Sequence, residues 1–428
     1  MTIRIDRRQF LLGSSALVAA GAAGISPAWA QADSLRLIFW GGQPRADRTY
    51  KVTDLYKDAS GVDVQGEFLA WNDYWPKLAT QTAGGNAPDI IQMDYRFIVE
   101  YAKRNAIAPL DEFVGNQLQL ADFDEDQLEG GKVDGKLYGI SLGANSVAML
   151  VNTAAFEKAG IDAPTNAWTY DDLMAMGEAF NSAGVGMKVV ADGSYSEPML
   201  NNWIRQKGKE LYTADGKLGL DEADMTEWFT LWNNLREAGV CVAPDEQALD
   251  TGPLESTMLV SGKAAMIPAN SNQLVAFQAL MQDPIDMVGY PRIAEGVGGG
   301  HYRKPSMFFS IAGSSQKKAE AAEFLNFFIS DPEAAKVLDV ERGIPCLPAM
   351  REVVAPLLDE QNQIALNFVS NLGDLLGPLP PPPPAAAGEI DLSLLRTVGQ
   401  EVGFGARSAE DGAAYFVAEA NAILERAV

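Results

Sequence analysis

The chain has 428 residues, of which 47% are hydrophobic and 21% charged, so it is long enough for two or three globular domains. Its 57 acidic side chains outnumber 33 basic ones and give a net charge of −24, which disfavours binding to nucleic acids and anionic membranes. One histidine and two cysteines argue against a metal site rich in these residues, and the sequence leaves open whether Cys241 and Cys346 pair.

The first thirty residues predict an export signal. Arg7 and Arg8 precede an apolar run at 10–24, and Ala28-Trp29-Ala30 has the small-x-small pattern of a cleavage site. The arginine pair is similar to a twin-arginine signal. We therefore expect cleavage near Ala30 and a periplasmic protein, since no later stretch is apolar enough to span a bilayer.

The next segment alternates between strand and helix patterns. Strands are predicted at 35–40, 62–64 and 88–94. Helices are predicted between them, one with Val52 on its buried face and one over 76–85. The order β-α-β-α-β predicts a mostly parallel sheet with helices on its faces.

The remaining chain repeats this mixture and ends in helices. An apolar stretch covers 138–152, and further strands are predicted at 263–269, 285–290 and 307–313. Helix starts are predicted at Thr169, at Ser315 and at Asp331 with Pro332. The last 80 residues are mostly helical in pattern, apart from a stiff proline-rich crossing at 378–384.

Two motifs typical of enzymes and metal sites are incomplete. Gly139–Gly143 with Ser141 fits a hydrolase nucleophile turn, and His301 lies downstream, but strand-like residues follow where a helix is needed. Asp122, Asp124 and Asp126 have calcium-loop spacing without the required glycine and glutamate. We expect no cofactor and no metal.

Aromatic side chains beside polar groups predict a saccharide site, because ring faces stack on sugars while amides and charged groups bond hydroxyls. Several candidates follow strand ends, where ligands of α/β sheets bind. The candidate ligand-binding residues are Trp40, Gly41, Gly42, Arg45, Trp71, Asp94, Tyr95, Asn145, Tyr195, Glu197, Asn270, Asn272, Lys304 and Arg342.

Five stretches resemble extracellular solute-binding proteins of ABC importers, in the carbohydrate-binding group that includes the maltodextrin-binding protein. They are AGGNAPDIIQMD (83–94), VDGKLYGIS (133–141), NTAAFEKAGIDAPTNAWTYDDL (152–173), SGKAAMIPAN (261–270) and KKAEAAEFLNFFI (317–329). The resemblance implies a periplasmic, non-enzymatic monomer that captures a mono- or oligosaccharide by hinge closure and delivers it to the ABC permease. A serine hydrolase using Ser141 and His301, and a binding module that feeds a chemoreceptor or sensor, are the alternatives.

The resemblance also implies a two-lobed α/β fold with three hinge crossings and a helical tail. The crossings are expected near 143–149, 304–308 and 343–347. The N-lobe is then expected at 31–143 plus 306–344, and the C-lobe at 144–305 plus 345–428.

A narrower resemblance is to periplasmic oligogalacturonide-binding proteins. It rests on FWGGQPR (39–45), RKPSMFFSIAGSS (303–315) and DVERGIPCLPA (339–349). It implies that Arg45, Lys304 and Arg342 meet an acidic group on the sugar.

The stretch WNDYWPK (71–77) is expected to divide between core and site. Asp73 is predicted to cap a helix on which Tyr74 and Trp75 pack beside Leu78. Trp71 precedes that cap and is predicted to form a stacking platform for a sugar ring.

Overall fold

The computed structural model describes residues 34–250, 253–384 and 386–426, so the predicted export signal lies outside the described residues. The strands are β1 (Ser34–Trp40), β2 (Asp63–Leu69), β3 (Ile90–Met93), β4 (Lys132–Val133), β5 (Lys136–Leu137), β6 (Ile140–Ser141), β7 (Ala144–Asn145), β8 (Val147–Asn152), β9 (Lys188–Val190), β10 (Ala264–Asn270), β11 (Ile285–Val288), β12 (Lys304–Pro305) and β13 (Phe308–Ile311). The α-helices are Gln43–Ser60, Trp71–Ala83, Ile98–Lys103, Glu125–Glu129, Thr153–Ala159, Tyr170–Ala183, Glu197–Gln206, Glu222–Glu237, Pro244–Gln247, Leu274–Leu280, Lys318–Ser330, Pro332–Leu338, Pro348–Val354, Glu360–Ser370, Ala387–Glu389, Leu395–Gly403 and Ala409–Arg426.

The first sheet has the strand order β2-β1-β3-β13-β6. Strands β2 and β3 lie parallel to β1 on either side, which confirms the predicted β-α-β-α-β unit. Successive side chains of β1 enter two different cores: Leu37 and Phe39 pack with one cluster, and Ile38 and Trp40 with the other. Both faces of this sheet are therefore covered, as the apolar run predicts.

The second sheet has the order β11-β8-β10-β9. Strand β8 runs antiparallel to both of its neighbours, and β10 runs parallel to β9. The two-lobed α/β fold is confirmed, but the sheets are mixed, because β13 in the first sheet is also antiparallel to β3 and β6. Strand β13 returns from the other half of the chain, so no local β-α-β crossover fixes its direction.

The three predicted crossings lie side by side between the two sheets. Strand β7 pairs with β12, and Ala144 exchanges backbone hydrogen bonds of 2.8 and 2.9 Å with Ile344. Gly143 is required here, since a Cβ atom would lie 2.4 Å from the carbonyl oxygen of Arg342. The crossings thus form one hydrogen-bonded ribbon.

Local helix signals are confirmed at two of the three predicted starts. Thr169 forms a capping box with Asp172, and Asp331 caps Pro332–Leu338 through two backbone N–H groups. The third helix begins at Lys318 rather than after Ser315, whose hydroxyl donates to Asp89 at 2.6 Å.

The C-terminal region divides between the two lobes. Helix Pro348–Val354 buries Met350 and Val354 in the first lobe's core, whereas Glu360–Ser370 packs with the second lobe's core. The chain therefore leaves the first lobe after Val354, later than the predicted boundary near residue 345. Cys241 and Cys346 are free and are buried in different cores, so they form no bridge in this structure.

In the described residues, no helix is both long and apolar enough to cross a membrane.

Candidate functional site

A cleft of three connected cavities lies between the lobes, beside the crossing ribbon. We name them the proline chamber, the asparagine chamber and the hinge chamber, with volumes of about 150, 360 and 290 Å³. The first two share Glu197, Tyr302 and Lys304, and the last two share Asn145 and Asn272. Because they share walls, the three cavities adjoin one another, and we refer to the set as the groove.

The proline chamber is formed by both lobes and by the proline-rich segment. Its lining residues are Tyr95, Arg96, Glu197, Asn201, Glu210, Leu211, Tyr212, Tyr302, Lys304, Pro380, Pro381, Pro383 and Asp391. Tyr95 follows β3 in the first lobe, and its hydroxyl donates to the carbonyl oxygen of Pro380 at 2.8 Å. Arg205 of the second lobe donates to the carbonyl oxygen of Pro378. The proline-rich segment thus contacts both lobes.

The asparagine chamber is positioned by the crossing ribbon and by the end of β10. Asn145 of β7 and Lys304 of β12 are register partners, so the ribbon brings both to the same wall. Asn270 ends β10, and its N–H donates to Gln273 at 2.8 Å, which starts the next helical turn. Asn270 and Asn272 therefore combine a local structural role with a place in the cleft.

The hinge chamber continues the groove along the third crossing. It is lined by Arg48, Asn145, Ser271, Asn272, Val275, Asp339, Val340, Glu341, Gly343, Ile344, Asn362 and Ala365. Residues of both lobes and of the crossing itself meet in this wall, so a change in the angle between the lobes would change its shape.

Two carboxyl groups of the proline chamber are electrostatically perturbed. Burial raises the pKa of Glu197 to about 7, with a further contribution from the negative charge of Asp391. Burial likewise raises the pKa of Asp391 to about 6, while a hydrogen bond from Tyr212 opposes that shift. Both groups can therefore exchange protons near neutral pH.

The structure brings the aromatic candidates Trp40 and Trp71 together, but outside the three cavities. Their ring centroids lie 5.1 Å apart, and Trp71 also contacts Trp75 at 5.3 Å. The helix begins at Trp71, not after Asp73, because Ala70 occupies the cap position. Trp71 and Trp75 thus share a helical face one turn apart. Tyr74 and Leu78 are fully buried, which confirms their packing role.

Trp71 is separated from the cleft by a single side chain. The Arg96 guanidinium lies 5.0 Å from the centroid of the Trp71 ring, and Arg96 lines the proline chamber. Stacking of a sugar directly on Trp71 stays a prediction.

Two of the three predicted basic contacts have structural partners. Arg45 donates to Glu341 at 2.8 Å and to the carbonyl oxygen of Trp40 at 3.2 Å. Gly41 makes room for that side chain, since its Cβ atom would lie 2.5 Å from Cδ of Arg45. Arg342 is buried and donates to Thr49 at 2.8 Å. Burial lowers the pKa of Arg342 to about 9, with help from the charge of Arg45.

Arg342 borders a separate cavity of about 30 Å³, which is far smaller than the chambers of the cleft. Of the three basic residues that were expected to meet an acidic sugar, Lys304 alone lines the groove. Gly42 precedes the first helix and is exposed, without a contact that requires glycine.

Asp94 and Tyr195 also lie outside the cavities. The carboxylate of Asp94 accepts from the backbone N–H of Arg96 at 3.0 Å and from its side chain at 2.8 Å. Asp94 thus positions an arginine of the cleft. Tyr195 packs against Gly399 of the C-terminal helices and lies beneath Arg396. Glu197, two residues later, lines the cleft instead.

Sequence reasoning missed Arg96, Asn201, Tyr212, Tyr302, Asp391 and the prolines as cleft residues. Two of them had usable signals. Tyr302 lies two residues before Lys304, and Asn201 lies one helical turn after Glu197 and donates to it at 3.2 Å. Asp391 had no usable signal in the sequence, because only the tertiary fold brings residue 391 close to residue 197.

The Ser141–His301 pair of the hydrolase alternative is not formed. The Ser141 hydroxyl donates to Gln127 at 2.9 Å within the first lobe. Nε2 of His301 accepts from the backbone N–H of Tyr290 at 2.8 Å in the second lobe. Burial lowers the pKa of His301 to about 3, so this imidazole is neutral at physiological pH.

Comparison with known proteins agrees with this architecture. Residues 51–362 match the model of the bacterial extracellular solute-binding protein family. Curated relatives named as candidate binding proteins in Brucella abortus and Brucella suis are 27% identical over 188 residues, which are 42% of this chain. The match spans 44% of those relatives, so the chain covers less than half of their length.

Solved structures match over nearly all of the described chain. An extracellular solute-binding protein of Alicyclobacillus acidocaldarius has a TM-score of 0.83 and 30% identity, with 92% of this chain and 98% of that chain covered. A designed cysteine esterase has a TM-score of 0.81 and 23% identity, with 92% and 98% covered. A periplasmic oligogalacturonide-binding protein of Yersinia enterocolitica has a TM-score of 0.78 and 22% identity, with 92% and 99% covered. At identities this low, the last two show a shared fold.

Proposed function

The chain belongs to the family of bacterial extracellular solute-binding proteins, and from that premise we propose that it is the periplasmic carbohydrate-binding component of an ABC importer. It captures an oligosaccharide or glycoside in the groove between its lobes, closes about the crossing ribbon, and delivers the ligand to the permease. The predicted twin-arginine signal supplies the export route.

The observation that carries this proposal is the set of adjoining chambers between the lobes and their lining. Its two larger chambers have volumes of about 360 and 290 Å³, near the lower end of ligand sites, which run from roughly 300 to 1,000 Å³. Asparagine amides and tyrosine hydroxyls can bond several hydroxyl groups, and tyrosine and proline rings offer apolar faces. A set of adjoining chambers with this chemistry suits a ligand made of linked rings.

The geometry also supports closure. Tyr95 of the first lobe is bonded to Pro380 of the proline-rich segment, so a movement of that segment with the second lobe would break the hydrogen bond. A ligand that contacts both walls would favour the closed arrangement by its differential affinity for it.

A thermal-shift screen followed by isothermal titration tests the proposal. Neutral, amino and uronic oligosaccharides would be compared with peptides and amino acids. A saccharide at a hundredfold excess over its Kd should add about 2.7 kcal/mol of stability. Stabilisation by peptides and by no saccharide would overturn the proposal.

The saccharide affinities of Asn272→Ala and Asn362→Ala provide a matched comparison. Asn272 lines two chambers, whereas Asn362 lines the hinge chamber alone. We expect the first substitution to weaken saccharide binding more than the second. The reverse order would place the ligand away from the asparagine chamber.

A further inference from the structure

The proline chamber contains two carboxyl groups that form no salt bridge with any described residue, although the positive charge of Lys304 acts on Glu197 and opposes the rise of its pKa. Glu197 is the first residue of its helix, and Asp391 lies in the π-helical turn Ile390–Leu394. Glu197 accepts one hydrogen bond from Asn201 at 3.2 Å, and Asp391 accepts one from Tyr212 at 2.6 Å. Each carboxyl group therefore retains acceptor capacity in the chamber.

Asn201 adds a buried acceptor that has no donor among the described residues. This side chain is 8% exposed and lines the same chamber. Its Nδ2 donates to Glu197, while its Oδ1 is buried without a hydrogen-bond donor in the described part of the chain. A buried acceptor without a donor costs roughly 1–3 kcal/mol. A rotation of the Asn201 side chain toward the chamber would expose this oxygen to an incoming donor and remove that cost.

The remaining charges of the wall leave a negative balance. Arg96 is paired with Asp94 at 2.8 Å, and Glu210 is paired with the buried Arg205. Lys304 is the other cation of this wall, and its charge acts on Glu197. When Glu197 and Asp391 are both ionised, the lysine offsets one of them and one negative charge remains.

We propose that the proline chamber binds a sugar ring that carries a protonated amino group, held between Glu197 and Asp391. The inference rests on the proposed saccharide function and narrows its ligand class. The ammonium group donates to both carboxylates, and to Oδ1 of Asn201 once that side chain turns toward the chamber, while the rings of Tyr212 and Tyr302 pack on the sugar.

The competing ligand classes fit this wall less well. A uronic acid would bring a third carboxylate beside Glu197 and Asp391, and Arg45 and Arg342 are bonded elsewhere. A neutral ring can donate through its hydroxyls but leaves the negative charge uncompensated. An ammonium group supplies donors and charge together.

Isothermal titration of the exported form of the protein tests the inference. The probes are glucosamine oligosaccharides, their N-acetylated counterparts of equal length, and galacturonate oligosaccharides. At pH 7 we expect the glucosamine series to bind about tenfold more tightly than the acetylated series, because acetylation removes the charge. Glu197→Gln and Asp391→Asn should each abolish most of that preference.

The pH dependence of ligand affinity tests the inference on the wild-type protein alone. The folded pKa values of Glu197 and Asp391 are raised to about 7 and about 6, so both groups are largely protonated at pH 5. Affinity for the charged amine should therefore rise about tenfold from pH 5 to pH 7, while affinity for the acetylated ligand changes little. Glu237→Gln, which changes an exposed carboxylate at the end of a distant helix, is the matched control and should keep the preference.

The outcomes separate the two proposals. Equal binding of amino and acetylated sugars, or a preference for galacturonate, overturns the inference and leaves the saccharide function standing. Failure of every saccharide to bind overturns the proposed function itself. If Glu197→Gln fails to fold, the amino-sugar preference of Asp391→Asn and the pH dependence of wild-type binding still test the inference.

Discussion

Replacing Glu341 by glutamine should destabilise the first lobe. The carboxylate of Glu341 holds two arginines, with contacts of 2.8 Å to Arg45 and 3.3 Å to Arg342. The side chains of these arginines are 14% and 2% exposed, so neither can recover full hydration when its anion is removed. The neutral amide would leave two adjacent buried cations without a counter-charge.

The size of the effect follows from the burial of the partners. Breaking a buried ion pair by removing one member costs roughly 3–5 kcal/mol. Glu341 is 23% exposed, and Arg342 keeps its hydrogen bond to Thr49, so part of the cost is relieved. We expect a loss of about 2–3 kcal/mol in the free energy of unfolding.

Urea unfolding followed by tryptophan fluorescence would measure this loss. The matched control is Glu333→Gln, which removes an exposed pair with Lys336 at 2.7 Å and should cost about 0.5 kcal/mol or less. A Glu341→Gln variant no less stable than that control would refute the reasoning. Arg45 and Arg342 would then be available for an acidic ligand.

Three further changes probe the cleft and its surroundings. Tyr95→Phe removes the hydrogen bond to Pro380, worth about 1 kcal/mol, and should weaken saccharide binding about fivefold in titration; unchanged affinity would mean that this bond does not favour closure. Trp71→Ala removes the ring beneath Arg96 and should lower affinity about tenfold with an unchanged circular dichroism spectrum; loss of the folded spectrum would assign the ring to the core. His301 is the one histidine, and its pKa of about 3 in the folded protein lies below the ordinary 6.5. As the pH falls below 6.5, the imidazole is protonated in the unfolded chain but stays neutral in the folded chain, so the free energy of unfolding decreases. His301→Gln should reduce the difference between melting temperatures at pH 7 and pH 5, and an equal difference would assign the acid sensitivity to other groups.

The sequence predicted the elements that depend on local pattern. The buried strand at 35–40, the capping box of Thr169 and the proline start after Asp331 all follow from neighbouring residues, and the structure confirms them. Strand direction in the sheets was predicted less well. Strands β8 and β13 pair with partners far along the chain, and local periodicity carries no information on their direction.

The site was predicted where its residues lie on the crossing ribbon or at a strand end. Tyr95, Asn145, Asn270 and Lys304 line the candidate groove, and their contact with a ligand stays a prediction. Arginines were harder to assign, because a guanidinium that bonds a ligand and one that bonds Glu341 look alike in sequence.

The proline-rich wall has a consequence for the thermodynamics of ligand capture. Each proline has a fixed φ angle and lacks an N–H group, so this wall offers the groove ring faces and carbonyl oxygens that have little freedom to lose. Ordering a flexible loop on binding would consume part of the interaction energy, roughly 0.5–1.5 kcal/mol for each immobilised side chain. The segment that contains Pro380, Pro381 and Pro383 should instead keep nearly the same heat capacity and mobility with and without ligand. The entropy change of ligand binding should then come mainly from released water and from the movement of the lobes.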